Sequence, residues 1–374
     1  MGLGLAACLP HDYAEGTFIG RAEGPDGPHV IVLSEGRIRD ITSVASTVSG
    51  AVARRAFSGG CDLGAIEDGL PAGWQLLSPI DLQCVKASGV TFAVSAIERV
   101  IEERARGDAS AAAAIRQQLE ATIGAGIRAV VPGSAEAMAL KAALIEQGMW
   151  SQYLEVAIGP DAEIFSKSPV LSTVGHEALI GVRSDSSWNN PEPEVVLVVD
   201  PVGEVVGAAL GNDVNLRDFE GRSALLLSKA KDNTASCSIG PFIRLFDATF
   251  GIDDVRSADV ELVVEGQDNF RMEGTNRMTE ISRDPLELVA QTLSEHSYPD
   301  GFVLFCGTLF APTQDRDEPG GGFTHKVGDR VTIRSTRLGS LVNTVTTSRD
   351  APKWAMGVGA FMRNLAARGL VELA

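Results

Sequence analysis

Along residues 1–73 the hydrophobic positions come in short runs. Thr17-Phe18-Ile19-Gly20 and His29-Val30-Ile31-Val32-Leu33 read as strands, with Ser34-Glu35-Gly36-Arg37 as the turn after the second. Gly59-Gly60 and Pro71-Ala72-Gly73 read as loops, and a boundary between a small β-rich N-terminal domain (1–73) and a larger domain (74–374) is expected near Gly73. The period then lengthens. Val94, Ile97 and Ile101 fall on one helical face, and Ile115, Leu119 and Ile123 on another, with Gly107-Asp108 as the break between them. Asp108 or Ser110 is a possible cap for the second helix. Ser134 is expected to cap a third helix ending before Gly148. From Ile180 onward continuous apolar runs predict strands: VVLVV, VVGAAL, VELVVEG, FVLFCGT and RVTIRS. Asp284-Pro285 has the pattern of an N-cap followed by the first helical residue, with Leu288, Val289 and Leu293 facing inward. A last helix is expected from Ala360 to Arg368, stopped by Gly369.

With 374 residues, 44% of them hydrophobic, the chain can bury a large core, and its length suits two domains. The formal charge of −17 disfavours nucleic acid and anionic membranes as partners. The five cysteines, Cys8, Cys61, Cys84, Cys237 and Cys306, are widely spaced and form no CxxC, which points to a reducing, cytoplasmic setting. Leu5-Ala6-Ala7-Cys8 resembles a lipoprotein cleavage site only superficially. No basic segment precedes it and the apolar stretch is short, so a frayed N-terminus is expected instead.

One polar feature interrupts the apolar pattern. In Pro191-Glu192-Pro193-Glu194 two carboxylates alternate with prolines at the mouth of a hydrophobic run. Residues i and i+2 of a strand share a face, so the glutamates point the same way. The prolines place them at a strand edge or entrance. If Pro201 to Glu204 form a four-residue hairpin loop, Asp200 faces Val205 and Asp213 falls opposite Glu192. A one-residue slip would send the side chains to the other face. Three carboxylates gathered this way repel one another unless a hard cation joins them, Mg2+ best, with Mn2+ or Ca2+ possible. A solvated, acidic sheet edge is the alternative.

These residues carry a resemblance. Pro191-Glu192-Pro193-Glu194, Gly211-Asn212-Asp213-Val214-Asn215-Leu216-Arg217-Asp218, Lys231-Asp232-Asn233-Thr234-Ala235-Ser236-Cys237 and Gly307-Thr308 resemble the fumarylacetoacetate hydrolase superfamily, over roughly Leu76 to Val345. The resemblance implies an α+β fold with a mixed β-roll catalytic domain behind a small N-terminal domain, usually dimeric. It also implies Glu192, Glu194 and Asp213 as ligands of Mg2+. One segment departs from the pattern. Hydrolases of the superfamily carry G-x-N-Y-x-x-H-x-x-E, whereas here Gly89 to Glu98 has Thr91-Phe92 for Asn-Tyr and Ser95 for His. Ser95 therefore stands at the catalytic position, but an unassisted serine is no base at neutral pH. Leu77 to Ala93, Gly181-Val-Arg-Ser-Asp185 and Gly320-Gly-Gly-Phe-Thr-His325 resemble the 2-keto-3-deoxypentonate dehydratase subgroup.

That closer resemblance implies dehydration of a 2-keto-3-deoxy sugar acid to 2,5-dioxopentanoate, in pentose oxidation. The reaction needs a base near C3 and an acid near C4, but no activated water. Lys231 is expected as base or proton shuttle, or alternatively as a clamp on the substrate carboxylate, and Glu98 as acid. Lys86 and Lys167 are further candidates, Lys167 because Ile164-Phe-Ser-Lys-Ser-Pro169 is similar to an F-x-K-P segment of the superfamily. Gly307 and Thr308 are expected at the substrate carboxylate, and Arg183 and Asp185 at the sugar hydroxyls. His176 and His325 are expected to be structural, and Cys237 and Cys306 to be buried. The competing readings are a dioxo-acid hydrolase with another water-activating group, and a catalytically silent sugar-acid binding protein. The assembly is expected to be a homodimer or homotetramer.

Overall fold

The computed structural model describes residues 5–371 apart from 113, 117–125, 128–129, 309, 311 and 319–321. Two sheets and flanking helices give an α+β fold. In spatial order the larger, mixed sheet runs Cys61–Ala65, Arg37–Asp40, Gly27–Ser34, Phe18–Gly24, Cys237–Leu245, Val205–Asp213, Pro193–Val199, Phe302–Phe305, Cys84–Gly89, Glu163–Ser168. The smaller sheet runs Arg271–Arg277, Asp259–Glu265, Arg330–Ser335, Gly339–Thr347, Leu179–Val182. Among the described residues no helix is long and apolar enough to cross a membrane.

The apolar run VVLVV is continuous because both faces of its strand are covered. Val195, Leu197 and Val199 pack with Val260, Leu262, Val264, Val331 and Ile333 between the two sheets. Val196 and Val198 pack on the opposite side with Val30, Val32, Ile239 and Val303. The N-terminal strands extend this same sheet: Phe18 and Ile19 pair with Arg244 and Ile243. The sheet thus runs across the boundary expected near Gly73.

Capping chemistry places the helices. The Ser134 hydroxyl accepts from the Ala137 amide to open Ala135–Glu146, and Asp284 accepts from Leu286 ahead of Pro285–Leu293. The last helix is Val358–Ala367 and begins two residues before its expected start, with Gly357 as the extended residue that precedes it. Ile97 and Ile101 of the Ala93–Arg104 helix join Leu144, Tyr153 and Leu154 in a separate helical core. Of the expected Ile115–Leu119–Ile123 face, Leu119 and Ile123 lie outside the described residues. Gly320 and Gly321 of the Gly-rich stretch do as well.

The hairpin that carries the acidic residues has a three-residue loop. The Asp200 amide donates to Glu204 O at 2.9 Å, and Val199 pairs with Val205. A bulge next to this pair then adds one residue, so that Val198 faces Gly207 and Glu194 faces Gly211. The shorter loop and the bulge compensate, and the Asp213 amide donates to Glu192 O at 3.0 Å.

Candidate active site

Glu192, Glu194 and Asp213 are all buried and bring one carboxylate oxygen each within 4.8 Å of the others. Pro193 opens the central strand, so Glu192 sits just outside it, where its amide donates to Asn212 Oδ1 at 3.2 Å. Glu194 Oε2 accepts the Gly307 amide at 2.6 Å. Gly307 has φ +89°, and a Cβ there would lie 2.1 Å from Thr91 Oγ1. Thr91 in turn donates to Cys306 O at 2.7 Å. The Gly-Thr turn is thus held by Thr91, the residue that replaces asparagine.

Two buried lysines enter the cluster. Lys167 Nζ lies 2.7 Å from Asp213 Oδ1. Lys231 Nζ lies 2.5 Å from Glu192 Oε2 and 3.2 Å from Asp213 Oδ2. Burial opposes the Lys231 charge, but Asp213 and Glu192 outweigh it and raise the ammonium pKa. Asp213 is likewise penalised by burial, yet Lys167 and Lys231 hold it below the ordinary carboxylate range. Glu194 is pushed well up by burial and then by the Asp213 and Glu192 charges.

Behind the cluster runs an ion-pair ladder that the sequence reading missed. Arg99 reaches Glu192 Oε1 at 2.5 Å, Glu102 Oε2 at 2.6 Å and Glu220 Oε2 at 3.1 Å, and Arg217 Nε lies 3.1 Å from Glu102. Glu192 therefore divides its oxygens, Oε1 to Arg99 and Oε2 to Lys231. Ser95, Arg99 and Glu102 follow at helical spacing, a polar stripe on the Ala93–Arg104 helix that marks a buried polar neighbour. Glu163, also missed, lines the cavity from the Glu163–Ser168 strand. Burial and then the Glu220 charge push its carboxyl pKa up to about 7. A Cβ on Gly89 would lie 2.0 Å from Glu163 Oε2, so glycine makes room for this carboxyl.

Several expected site residues are occupied elsewhere. The Ser95 hydroxyl donates to Phe92 O at 2.8 Å and closes the first helical turn; it lines the cavity as a cap, with no base to activate it. Glu98 is held by Arg116 through bonds of 2.8 and 2.6 Å, so its carboxyl is spent on an ion pair. Lys86 bonds Ser166 Oγ at 2.9 Å and approaches the Tyr298 ring, away from the acidic cluster. Arg183 and Asp185 pair with each other through two 2.8 Å bonds, with Asp185 exposed. The Gly307 amide is committed to Glu194, whereas Thr308 lines the cavity. His176 Nδ1 accepts from the Val342 amide and His325 lies against Asp329, each outside the cluster.

Six carboxyl groups, of Glu102, Glu163, Glu192, Glu194, Asp213 and Glu220, meet four cations, of Arg99, Lys167, Arg217 and Lys231. With every group ionised, two negative charges are left over, the amount a divalent cation cancels. The donor set is all oxygen, the kind preferred by a hard ion. The residues present fit such an ion.

The sequence model of the fumarylacetoacetate (FAA) hydrolase C-terminal family matches residues 142–346. The chain belongs to this family. The match contains the acidic trio, Lys167 and Lys231 of this FAA hydrolase family member, while Ser95 and Arg99 lie ahead of it. A probable 2-keto-3-deoxyxylonate dehydratase of Haloferax volcanii is 32% identical over 202 residues, 54% of this chain and 66% of that protein. A 2-dehydro-3-deoxy-D-arabinonate dehydratase of Saccharolobus solfataricus is 32% identical over 187 residues, 50% of this chain and 59% of that one. The chain thus spans less than two thirds of the length of these curated relatives. Among solved structures, a 2-keto-3-deoxy-D-arabinonate dehydratase complexed with magnesium and 2,5-dioxopentanoate superposes with a TM-score of 0.63 at 22% identity. That likeness covers 88% of this chain and 99% of the other, and it concerns the fold.

Proposed function

We propose that this family member dehydrates a 2-keto-3-deoxy-D-pentonate, of the xylonate or arabinonate type, to 2,5-dioxopentanoate. Glu192, Glu194 and Asp213 hold Mg2+, and residues 74–374 form the catalytic unit. One observation carries this reading: three buried carboxylates, paired with the buried Lys167 and Lys231, line a cavity whose described lining contains no histidine. The two dehydratases of matching sequence support the substrate class. The hydrolase alternative lacks a histidine among the described lining residues, and the two lysines against the acidic trio speak against a silent binding protein.

When bound, Mg2+ stabilises negative charge developing on the substrate's keto oxygen. Thr308 offers its hydroxyl to the substrate carboxylate. Lys231, once its carboxylate partners are engaged elsewhere, takes the C3 proton at Nζ. Glu163 gives its proton to the departing C4 hydroxyl, which leaves as water. A proton then moves from C5 to C3, and the resulting C4–C5 enol gains a proton at C4 as its hydroxyl loses one, leaving an aldehyde at C5 with five carbons retained. An anionic substrate adds a negative charge to the cluster, which favours the protonated form of Glu163.

NMR of the products formed with Mg2+ and 2-keto-3-deoxypentonate tests the reading. A five-carbon aldehyde is expected; pyruvate plus a two-carbon fragment overturns it. Because Glu163 must start protonated and its pKa lies near 7, kcat/KM is expected to fall as pH rises through about 7. Glu163→Gln should lower kcat by about 100-fold or more and abolish that limb of the profile. A limb that survives the substitution removes Glu163 as the acid.

The five cysteines are free, which supports a cytoplasmic location. Trp354, ahead of the last helix, and Val358 and Met362, one turn apart on it, are each more than two-fifths exposed and support self-association as a homodimer or homotetramer. Sedimentation as a monomer would refute this.

A further inference from the structure

The cavity holds one polar group that the reaction above leaves unused. Ser88 lies in the Cys84–Gly89 strand, is 2% exposed and lines the cavity together with Glu194, Lys231 and Thr308. Its Oγ has no hydrogen-bond partner among the described residues. Apart from Glu163 and Thr308, which the reaction uses, its polar neighbours on this wall are committed. The Ser95 hydroxyl bonds Phe92 O, the Gly307 amide bonds Glu194, and Lys231 bonds Glu192 and Asp213. A buried hydroxyl is costly to leave unpaired, so one aimed into a ligand cavity is a group awaiting a ligand atom.

The neighbours of Ser88 indicate which atom. On one side the next residue, Gly89, abuts the Glu163 carboxyl, where a Cβ would lie 2.0 Å from Oε2. On the other side Ser88 O lies 3.1 Å from the Cβ position of Gly307, at the turn leading to Thr308. Ser88 therefore occupies the wall between the group that protonates the leaving hydroxyl and the group that receives the carboxylate. A hydroxyl can donate and accept, and a substrate hydroxyl needs both.

We infer that Ser88 is a specificity residue, hydrogen-bonding a hydroxyl of the substrate chain beyond the keto group and thereby selecting polyhydroxy keto acids over simple ones. This inference rests on the proposed function and assigns to it the residue that reads the sugar part of the substrate. Among the described residues Ser88 Oγ hydrogen-bonds neither the acidic trio nor Thr308. Its loss should therefore be felt only by ligands that carry chain hydroxyls.

The test compares Ser88→Ala with the wild-type protein on two ligands. With 2-keto-3-deoxypentonate, KM should rise about tenfold or more, because a site built around a hydrogen bond discriminates strongly by it. With pyruvate, which has the same α-keto carboxylate and no hydroxyl, the Mg2+-dependent dissociation constant measured by calorimetry should change less than about twofold. The melting temperature of Ser88→Ala should equal or exceed that of the wild-type protein, since a hydroxyl without a protein partner is removed. Equal weakening towards both ligands, or none towards either, overturns the inference. A wild-type protein that neither binds pyruvate with Mg2+ nor converts the pentonate overturns the proposed function itself, and the role of Ser88 falls with it.

Discussion

Glu194→Gln is expected to abolish Mg2+-dependent turnover and to raise the melting temperature of the metal-free protein. The first effect follows from the donor set. Glu194 is one of three carboxylates that gather at one point, and an amide in its place supplies a weaker, neutral oxygen. Mg2+ affinity should fall by at least about 100-fold, since even outer-shell substitutions at metal sites cost 10–100-fold. The second effect follows from burial. Glu194 is 1% exposed, has no lysine or arginine within salt-bridge distance among the described residues and is repelled by Asp213 and Glu192. Glutamine keeps the shape and still accepts the Gly307 amide, while the repulsion is gone. Calorimetric Mg2+ titration and thermal melts with and without the ion check both effects. Unchanged Mg2+ affinity, or a lower metal-free melting temperature, would refute the ligand assignment.

Lys231→Met should separate binding from chemistry. The lysine shares Glu192 Oε2 and Asp213 Oδ2, the oxygens a cation would use. Removing it ends a competition, so Mg2+ should bind at least as tightly as in the wild-type protein. The proton acceptor for C3 disappears with it, and kcat should drop by about 10²–10⁴-fold, the usual worth of a positioned acid–base group. If Lys231 were only a clamp on the substrate carboxylate, KM would rise and kcat would hold. Measuring kcat and KM at saturating Mg2+ distinguishes the two roles.

The acidic trio was legible in the sequence because strand chemistry is periodic. Alternation put Glu192 and Glu194 together, and a hairpin count brought Asp213 opposite Glu192. The count assumed a four-residue loop; the actual three-residue loop and the bulge beside Val199 cancel, so the register is the same. Helices bounded by local capping, such as Ser134 before Ala135–Glu146 and Asp284 before Pro285–Leu293, were equally legible. Arg99, Glu102, Glu163 and Glu220 were not, since what ties them to the site are partners far along the chain, as Glu192 is for Arg99. Glu98 illustrates the same limit. Adjacent to Arg99 in sequence, it pairs instead with Arg116, because neighbouring helical residues point about 100° apart.

The hydrogen bonding of Phe18 and Ile19 to the Cys237–Leu245 strand bears on how this chain can be cut or recombined. A fragment starting after Gly73 would bare the Ile243–Leu245 end of Cys237–Leu245, whose amides and carbonyls lose their partners in Thr17 to Ile19. Such a flank recruits whatever strand it meets, including its own twin in another molecule. Shuffling the N-terminal segment among relatives therefore requires transplanting a matched strand along with it, and the two pieces are bound to change together.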